Sequence, residues 1–101
     1  MKHLGIPDRK TIVWKMEGEN ACVQVGLKKY ILNKTCSIVW KEIDGASTSE
    51  DIVSKIQYKY DVKNGREDLI KVVDKSLDIL LKKKLITLKA NEGIDGWLNY
   101  E

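Results

Sequence analysis

The sequence predicts an α+β fold in which a three-stranded antiparallel sheet is followed by three helices. Two observations carry this prediction. The amino-terminal third contains short segments with alternating apolar side chains, and the rest contains three stretches in which apolar residues recur at helical spacing. The 101 residues, 43% of them hydrophobic and 33% charged, suit one globular domain with a modest core.

The first two strands are predicted to form a hairpin. Residues 11–16 and 21–26 each alternate between two faces, and the intervening run 17–20 is rich in turn-forming residues. In the first segment, one face holds Ile12, Trp14 and Met16. In the second, Val23 and Val25 share one face, and Cys22 and Gln24 share the other.

The third strand is predicted over residues 28–32, after Gly26 interrupts the second. Tyr30 and Leu32 point to one side of this segment, and Lys29 and Ile31 point to the other. Together the three segments predict an antiparallel meander.

The first helix is predicted from the Asn33 cap to about Asp44, because an asparagine side chain can accept an amide hydrogen bond from the first turn. Gly45 is expected to supply a left-handed stop. The side chains predicted to be buried are Cys36, Val39, Trp40 and Ile43.

The second helix is predicted to begin after Thr48, which forms a capping-box variant with Asp51. Asn64 and Gly65 end the connection that follows this helix. Its inward side chains are predicted to be Ile52, Val53, Ile56 and Tyr60.

The third helix, from about Arg66 to Lys84, carries two apolar stripes about 100° apart. The first stripe consists of Ile70, Val73, Leu77, Leu80 and Leu81. The second consists of Leu69, Val72, Ser76 and Ile79. A surface helix needs an apolar arc of roughly 100°, so either two surfaces pack on this helix within the monomer or one stripe binds a partner.

The carboxyl-terminal residues follow the last helix. Residues 85–88 fit a short strand or an extended arm, and we assign residues 1–88 to one domain and 89–101 to a tail. The tail contains Trp97, Leu98 and Tyr100. Three alternatives are open for these residues: they bind a partner enzyme, cover the third helix or are disordered.

The net charge of +3 belongs to residues 1–33, which carry six basic and three acidic side chains, while the remainder is neutral. This asymmetry favours an acidic partner for the amino-terminal third, although +3 is also ordinary for a soluble domain. No apolar run approaches the roughly 20 residues of a membrane span, and the amino end lacks the apolar core of a secretory signal. We expect a cytoplasmic protein.

Catalytic and metal-binding motifs are absent from the sequence. It has no phosphate loop, dinucleotide-binding glycine motif, zinc-protease motif or nucleophile elbow. His3 is the only histidine, and the two cysteines, Cys22 and Cys36, fit small buried hydrophobes better than ligands or nucleophiles. The acidic pairs at positions 50–51 and 67–68 fit helix amino termini. We expect no enzyme activity, catalytic residue, metal or cofactor.

The order of elements resembles the PqqD-like family, small proteins that bind the leader segments of ribosomally made, modified peptides. The resemblance covers about residues 11–88. It rests on Tyr30-x-Leu32-Asn33, Ile38-x-Trp40-x-x-Ile43-Asp44-Gly45, Thr48-x-x-Asp51-Ile52 and the Leu-rich third helix that closes with Lys84-Leu85-Ile86. The family fold is a winged-helix variant with three strands and three helices.

The resemblance implies a site in which the leader peptide adds as a strand to the open edge at the third strand, against the third helix. A separate modifying enzyme or leader protease would act on the presented precursor. The implied edge is Lys28, Lys29, Tyr30, Ile31 and Leu32, the implied apolar wall is Leu69, Val72, Ser76 and Ile79, and Lys75 and Lys83 flank that wall. Alternatively, Tyr30 and Leu32 are core residues and Lys28 and Lys29 only deter edge-to-edge aggregation.

Two other functions remain open. A winged-helix DNA-binding regulator shares the topology, but the acidic first turns of the second and third helices oppose approach to a polyanion. A structural subunit would form a homodimer through the open strand. We expect neither nucleic acid nor membrane as a partner, and the class of the final peptide product is not encoded.

Overall fold

The computed structural model of the chain describes residues 3–10, 13–60 and 65–89. It confirms the α+β fold with a three-stranded antiparallel sheet and three helices, and adds a two-stranded sheet. The elements in chain order are β1 (Ile6–Arg9), β2 (Trp14–Glu17), β3 (Asn20–Val25), β4 (Lys28–Ile31), α1 (Lys34–Glu42), α2 (Ser49–Tyr60), α3 (Arg66–Lys82) and β5 (Ile86–Lys89).

The two-stranded sheet pairs β1 with β5 in antiparallel register, with Ile6 opposite Lys89 and Arg9 opposite Ile86. It decides between the two alternatives for residues 85–88, since Ile86–Lys89 is a strand. β1 was not predicted, because Pro7 disfavours a strand interior and the partner strand is remote in sequence. The predicted tail side chains at positions 97, 98 and 100 lie outside the described residues.

The three-stranded sheet has the order β2-β3-β4, with Trp14 opposite Val23 and Val23 opposite Tyr30. Val23 lies in the core, whereas Met16 and Val25 are exposed. Val25 is next to the β3–β4 turn, beyond the core residues Ala21 and Val23. Met16 is opposite Ala21 on the edge strand β2. Position 12 lies outside the described residues.

The first helix begins as predicted but ends earlier. Asn33 Oδ1 accepts the Cys36 amide at 2.8 Å, and the four side chains predicted to be inward are buried. The helix ends at Glu42, with Ile43 as an extended cap, so the predicted end at Asp44 was wrong. Gly45 is left-handed, with φ of 77°, but it belongs to the following turn.

That turn is organised by the Asp44 carboxylate. Its Oδ1 accepts the Ala46 and Ser47 amides at 2.9 and 2.7 Å. These two hydrogen bonds stabilise the charged form and hold the pKa of Asp44 well below its usual range. The Asp44 side chain therefore organises the turn that follows the helix, in which Gly45 takes the left-handed position.

The second helix has the predicted reciprocal cap. The Thr48 hydroxyl accepts the Asp51 amide at 3.1 Å, and the Asp51 carboxylate accepts the Thr48 amide at 3.0 Å. Its predicted inward residues Ile52, Val53 and Ile56 are buried. The fourth, Tyr60, was wrongly predicted to be inward: it is exposed at the last position of the helix.

The third helix ends two residues before the predicted boundary. The Leu85 amide donates to Leu80 O and the Lys84 amide to Leu81 O, each at 3.0 Å, which is a Schellman motif. Lys84 occupies the left-handed position with φ of 59°, where glycine is usual. Leu80 and Leu85, the two positions at which this motif usually has apolar residues, are both fully buried.

The core lies between the three-stranded sheet and the helices, and Trp40 is its largest fully buried side chain. The Arg9 guanidinium carbon lies 4.7 Å from the ring centroid of Trp14 and 5.2 Å from that of Trp40. Arg9 also donates to Trp40 O from Nη2 at 2.7 Å and from Nε at 3.2 Å. This cation ties β1 to the central core.

Candidate functional site

The open edge of β4 is the first part of the candidate site. Leu32 N donates to Ala21 O at 2.9 Å. Because hydrogen-bonded residues alternate along an antiparallel pair, Tyr30 also directs its backbone groups toward β3. Lys29 and Ile31 therefore direct their N–H and C=O groups to the outer edge of the sheet.

The second part is the face of α3 beside this edge. Lys83 Nζ lies 5.6 Å from the centroid of the Tyr30 ring, which places the last turn of the helix next to β4. An open concavity of about 260 Å³ continues along α3. It is lined by Asn33, Thr35, Cys36, Val72, Lys75, Ser76 and Ile79. We call β4, this concavity and the facing side of α3 the groove.

The predicted site residues divide by exposure. Ile31 is 73% exposed and Val72 43%, and four predicted lysines, Lys28, Lys29, Lys75 and Lys83, are also exposed. Tyr30 and Ile79 are half-buried at the margin of the core. Leu32, Leu69 and Ser76 are buried.

The buried members of the set have structural contacts in the free protein. Leu32 and Leu69 belong to the core cluster, and Ser76 Oγ donates to Val72 O at 3.0 Å. An aspartate at position 69 would therefore test folding before it tested binding. Val72 is the member of the apolar wall that offers the most surface to a ligand.

Sequence reasoning missed the contribution of the first turn of α1 to the groove. Asn33 was identified only as a cap and Cys36 only as a core residue, yet both line the concavity with Thr35. The cap explains this position, since it fixes the first helical turn directly after β4. Burial raises the pKa of the Cys36 thiol, which keeps it in the neutral form.

The junction between β4 and α1 is held by one buried hydroxyl. Ser37 Oγ accepts the Ala21 amide at 2.8 Å and donates to Asn33 O at 2.7 Å, with Leu32 O at 3.3 Å. Asn20 Nδ2 donates to Leu32 O at 2.7 Å. The carboxyl end of the edge strand is thereby fixed to β3 and to the helix that follows.

A second concavity, of about 410 Å³, lies on the other face of the sheet. Lys29 and Ile31 border it together with Cys22, which is half-buried, not fully buried as predicted. Desolvation and the Glu17 carboxylate raise the pKa of the Cys22 thiol. The side chains that point away from the core on β4 thus reach a different surface from the groove.

Within residues 3–10, 13–60 and 65–89, no three His, Cys, Asp or Glu side chains are grouped so that they could hold a metal ion. His3 packs on α3, where its amide donates to Asp74 and its ring Nε2 lies 3.5 Å from an Asp78 oxygen. None of the helices in the described ranges combines the length and apolar character of a membrane span.

The fold and site define a small protein with an open sheet edge beside a partly apolar helix, an arrangement suited to binding extended peptides. The family model described as Coenzyme PQQ synthesis protein D (PqqD) matches residues 21–86. The chain belongs to this family, and membership supports a peptide-binding accessory role in the biosynthesis of PQQ or other ribosomally made, modified peptides. Comparison with curated proteins and with solved structures finds no match.

Proposed function

We propose that this protein binds the leader segment of a ribosomally made precursor peptide by strand addition to β4 against α3. It performs no chemistry on the peptide and presents it to a separate modifying enzyme or protease. The observation that supports this most directly is the outward direction of the Lys29 and Ile31 backbone groups beside the α3 wall.

Strand addition explains both halves of the groove. Backbone hydrogen bonds to the edge provide affinity for any extended peptide, and pockets for alternate side chains provide specificity. One set of peptide side chains would face Val72 and Ile79 on α3. The other set would extend the outer face of the sheet beside Ile31, where a partner enzyme can reach them.

The strand-addition geometry is tested with synthetic peptides that span the leader of a short precursor encoded beside this gene. Each peptide carries one N-methylated amide, and its affinity is measured by calorimetric titration. Because alternate residues of an added strand face β4, we expect affinity to fall at every second position. Equal losses at consecutive positions, or losses without this period, would contradict strand addition.

The α3 wall is tested with Val72→Asp. A charge that must be buried against an apolar peptide side chain weakens binding, and we expect at least about a tenfold rise in Kd, which is about 1.4 kcal/mol. Tyr58→Asp is the matched control, because Tyr58 is a 90% exposed apolar residue on α2. Equal leader affinity in both variants, each shown to be folded by circular dichroism, would refute the assignment of the wall.

Pairing of two copies through the same strand is a competing use of the edge. Light scattering with and without the leader peptide separates the two. Under our proposal, saturation with peptide leaves a one-to-one complex. A dimer that persists at saturation would place the peptide elsewhere.

A further inference from the structure

We infer that the groove selects acidic leader segments, in which a carboxylate lies about three to four residues from an apolar anchor. This inference rests on the proposed function and adds the chemical class of the peptide. It is carried by the direction of the groove and by the distribution of charge along it.

The groove has a defined direction, because β4 and α3 run in opposite senses along it. Tyr30 lies beside Lys83 near the end of α3. Asn33, three residues further along the chain, lines the concavity with Val72, which lies in the amino-terminal half of α3. Lys28 and Lys29 precede Tyr30 and therefore lie toward the carboxyl end of α3.

Positive charge is concentrated at that end of the groove. Lys28 and Lys83 are exposed, and in the described part of the chain neither forms an ion pair with a carboxylate, whereas the adjacent Lys82 pairs with Asp78 at 3.0 Å. The Lys29 side chain borders the concavity on the other face of the sheet. The ammonium groups of Lys28 and Lys83 repel one another. A bound carboxylate removes that repulsion.

The opposite end of the groove has a different character. Val72 provides apolar surface there, next to the exposed Lys75, and the exposed Asp68 lies one helical turn before Val72. The charges of Asp68 and Lys75 offset one another, whereas Lys28 and Lys83 have no such counter-charge among the described residues. A peptide carboxylate is therefore favoured near Lys83. An extended strand advances about 3.3 Å per residue, so the step from Tyr30 to Asn33 sets the separation of the charged and apolar positions at about three to four residues.

Protection against aggregation does not account for this arrangement. Edge lysines do deter strand pairing between molecules, and that role suffices for Lys28 and Lys29. Lys83 is on neither edge strand, and its ammonium group lies 5.6 Å from the centroid of the Tyr30 ring. This cation–π contact holds the charge at the groove without neutralising it. The charge therefore stays available to a peptide carboxylate.

The test uses random 12-residue peptides displayed on phage and selected against the full chain. We expect the wild-type chain to enrich peptides with Asp or Glu three to four positions from a large apolar residue. Lys83→Glu should reduce that acidic enrichment and favour Lys or Arg at the same position. Lys41→Glu is the control, because Lys41 is an exposed α1 lysine that borders a concavity outside the groove.

The strongest acidic peptide is then titrated against the three proteins at low and high salt. We expect Lys83→Glu to raise Kd at least about fivefold at low salt and the difference to shrink as salt screens it, with Lys41→Glu unchanged. Selected peptides that lose binding in Val72→Asp but show no acidic excess and no response to Lys83→Glu would overturn this inference and leave the proposed function standing. Failure of every selected peptide and of the leader to bind would overturn both.

Discussion

Replacing Ser37 with alanine is expected to destabilise the protein by about 1.5 kcal/mol, because the hydroxyl completes the hydrogen bonding of a buried amide. Ala21 is fully buried, and its N–H donates to Ser37 Oγ at 2.8 Å. In a regular ladder this N–H would donate to Leu32 O, since Leu32 N donates to Ala21 O. The serine hydroxyl stands in for that missing ladder bond.

The magnitude follows from what remains after the substitution. A buried donor without a partner costs about 1–3 kcal/mol, which applies to the Ala21 N–H. The acceptors lose little, since Leu32 O still accepts Asn20 Nδ2 and Asn33 O still accepts the Ser37 amide. Alanine returns a few tenths of a kcal/mol through its higher helix propensity. The net loss in free energy of unfolding, about 1.5 kcal/mol, therefore lies within the range of about 1–3 kcal/mol for an unpaired buried donor.

Urea denaturation measures this loss. With an m value of about 1.5 kcal/mol/M, the midpoint should fall by about 1 M at unchanged m. Ser54→Ala is the control, because Ser54 is an exposed α2 residue whose hydroxyl accepts from Arg66 Nη2 at 3.1 Å. The effect of this control on the free energy of unfolding should stay within about 0.5 kcal/mol. If both variants shift the midpoint equally, the Ala21 amide has found another partner and the argument fails.

Three further predictions concern other parts of the fold and are also measured by urea denaturation. Arg9→Met should lower the free energy of unfolding by about 2–3 kcal/mol, because it removes two charge-assisted hydrogen bonds to Trp40 O and two ring contacts. A loss below about 0.5 kcal/mol would show that Arg9 does not stabilise the packing of β1 on the core. Lys84→Gly should stabilise by about 0.5–1 kcal/mol, since the left-handed conformation costs a side-chain residue more than it costs glycine; destabilisation would contradict this. Asp44→Asn should lower the free energy of unfolding at neutral pH. Because the pKa of Asp44 is depressed in the folded state, the difference in free energy of unfolding between variant and wild type should shrink as pH falls below about 4, the pKa in the unfolded state. A difference that is constant with pH would contradict the charge argument.

The features that the sequence predicted well are those set by near neighbours. The Asn33 cap and the reciprocal Thr48–Asp51 cap each depend on residues three positions apart, and both are present. The end of α1 was missed because the chain leaves the helix at the extended Ile43, two residues before Gly45. The end of α3 was missed because Lys84 adopts a conformation for which residue type alone predicts glycine.

Features that depend on residues far apart in the sequence were harder to predict. β1 has a proline and no clear alternation, and its pairing with β5 is fixed by tertiary packing. Leu69 and Val72 belong to the same predicted stripe of α3, yet one is 7% exposed and the other 43%. Helical periodicity assigns residues to a face, but only the positions of neighbouring elements decide which part of that face is covered. The groove itself came from the family resemblance and not from the pattern.

The junction from Asn33 to Ser37 serves both stability and the proposed binding. Ser37 fixes the end of β4 to β3, while Asn33 and Cys36 line the groove. An edge strand that binds a peptide loses affinity if it must first become ordered, because ordering costs conformational entropy at the moment of binding. A strand that buried hydrogen bonds hold at its carboxyl end is already partly ordered in the free protein, so binding has less conformational entropy left to remove. The same serine that stabilises the fold therefore prepares the edge that we propose as the leader-binding surface.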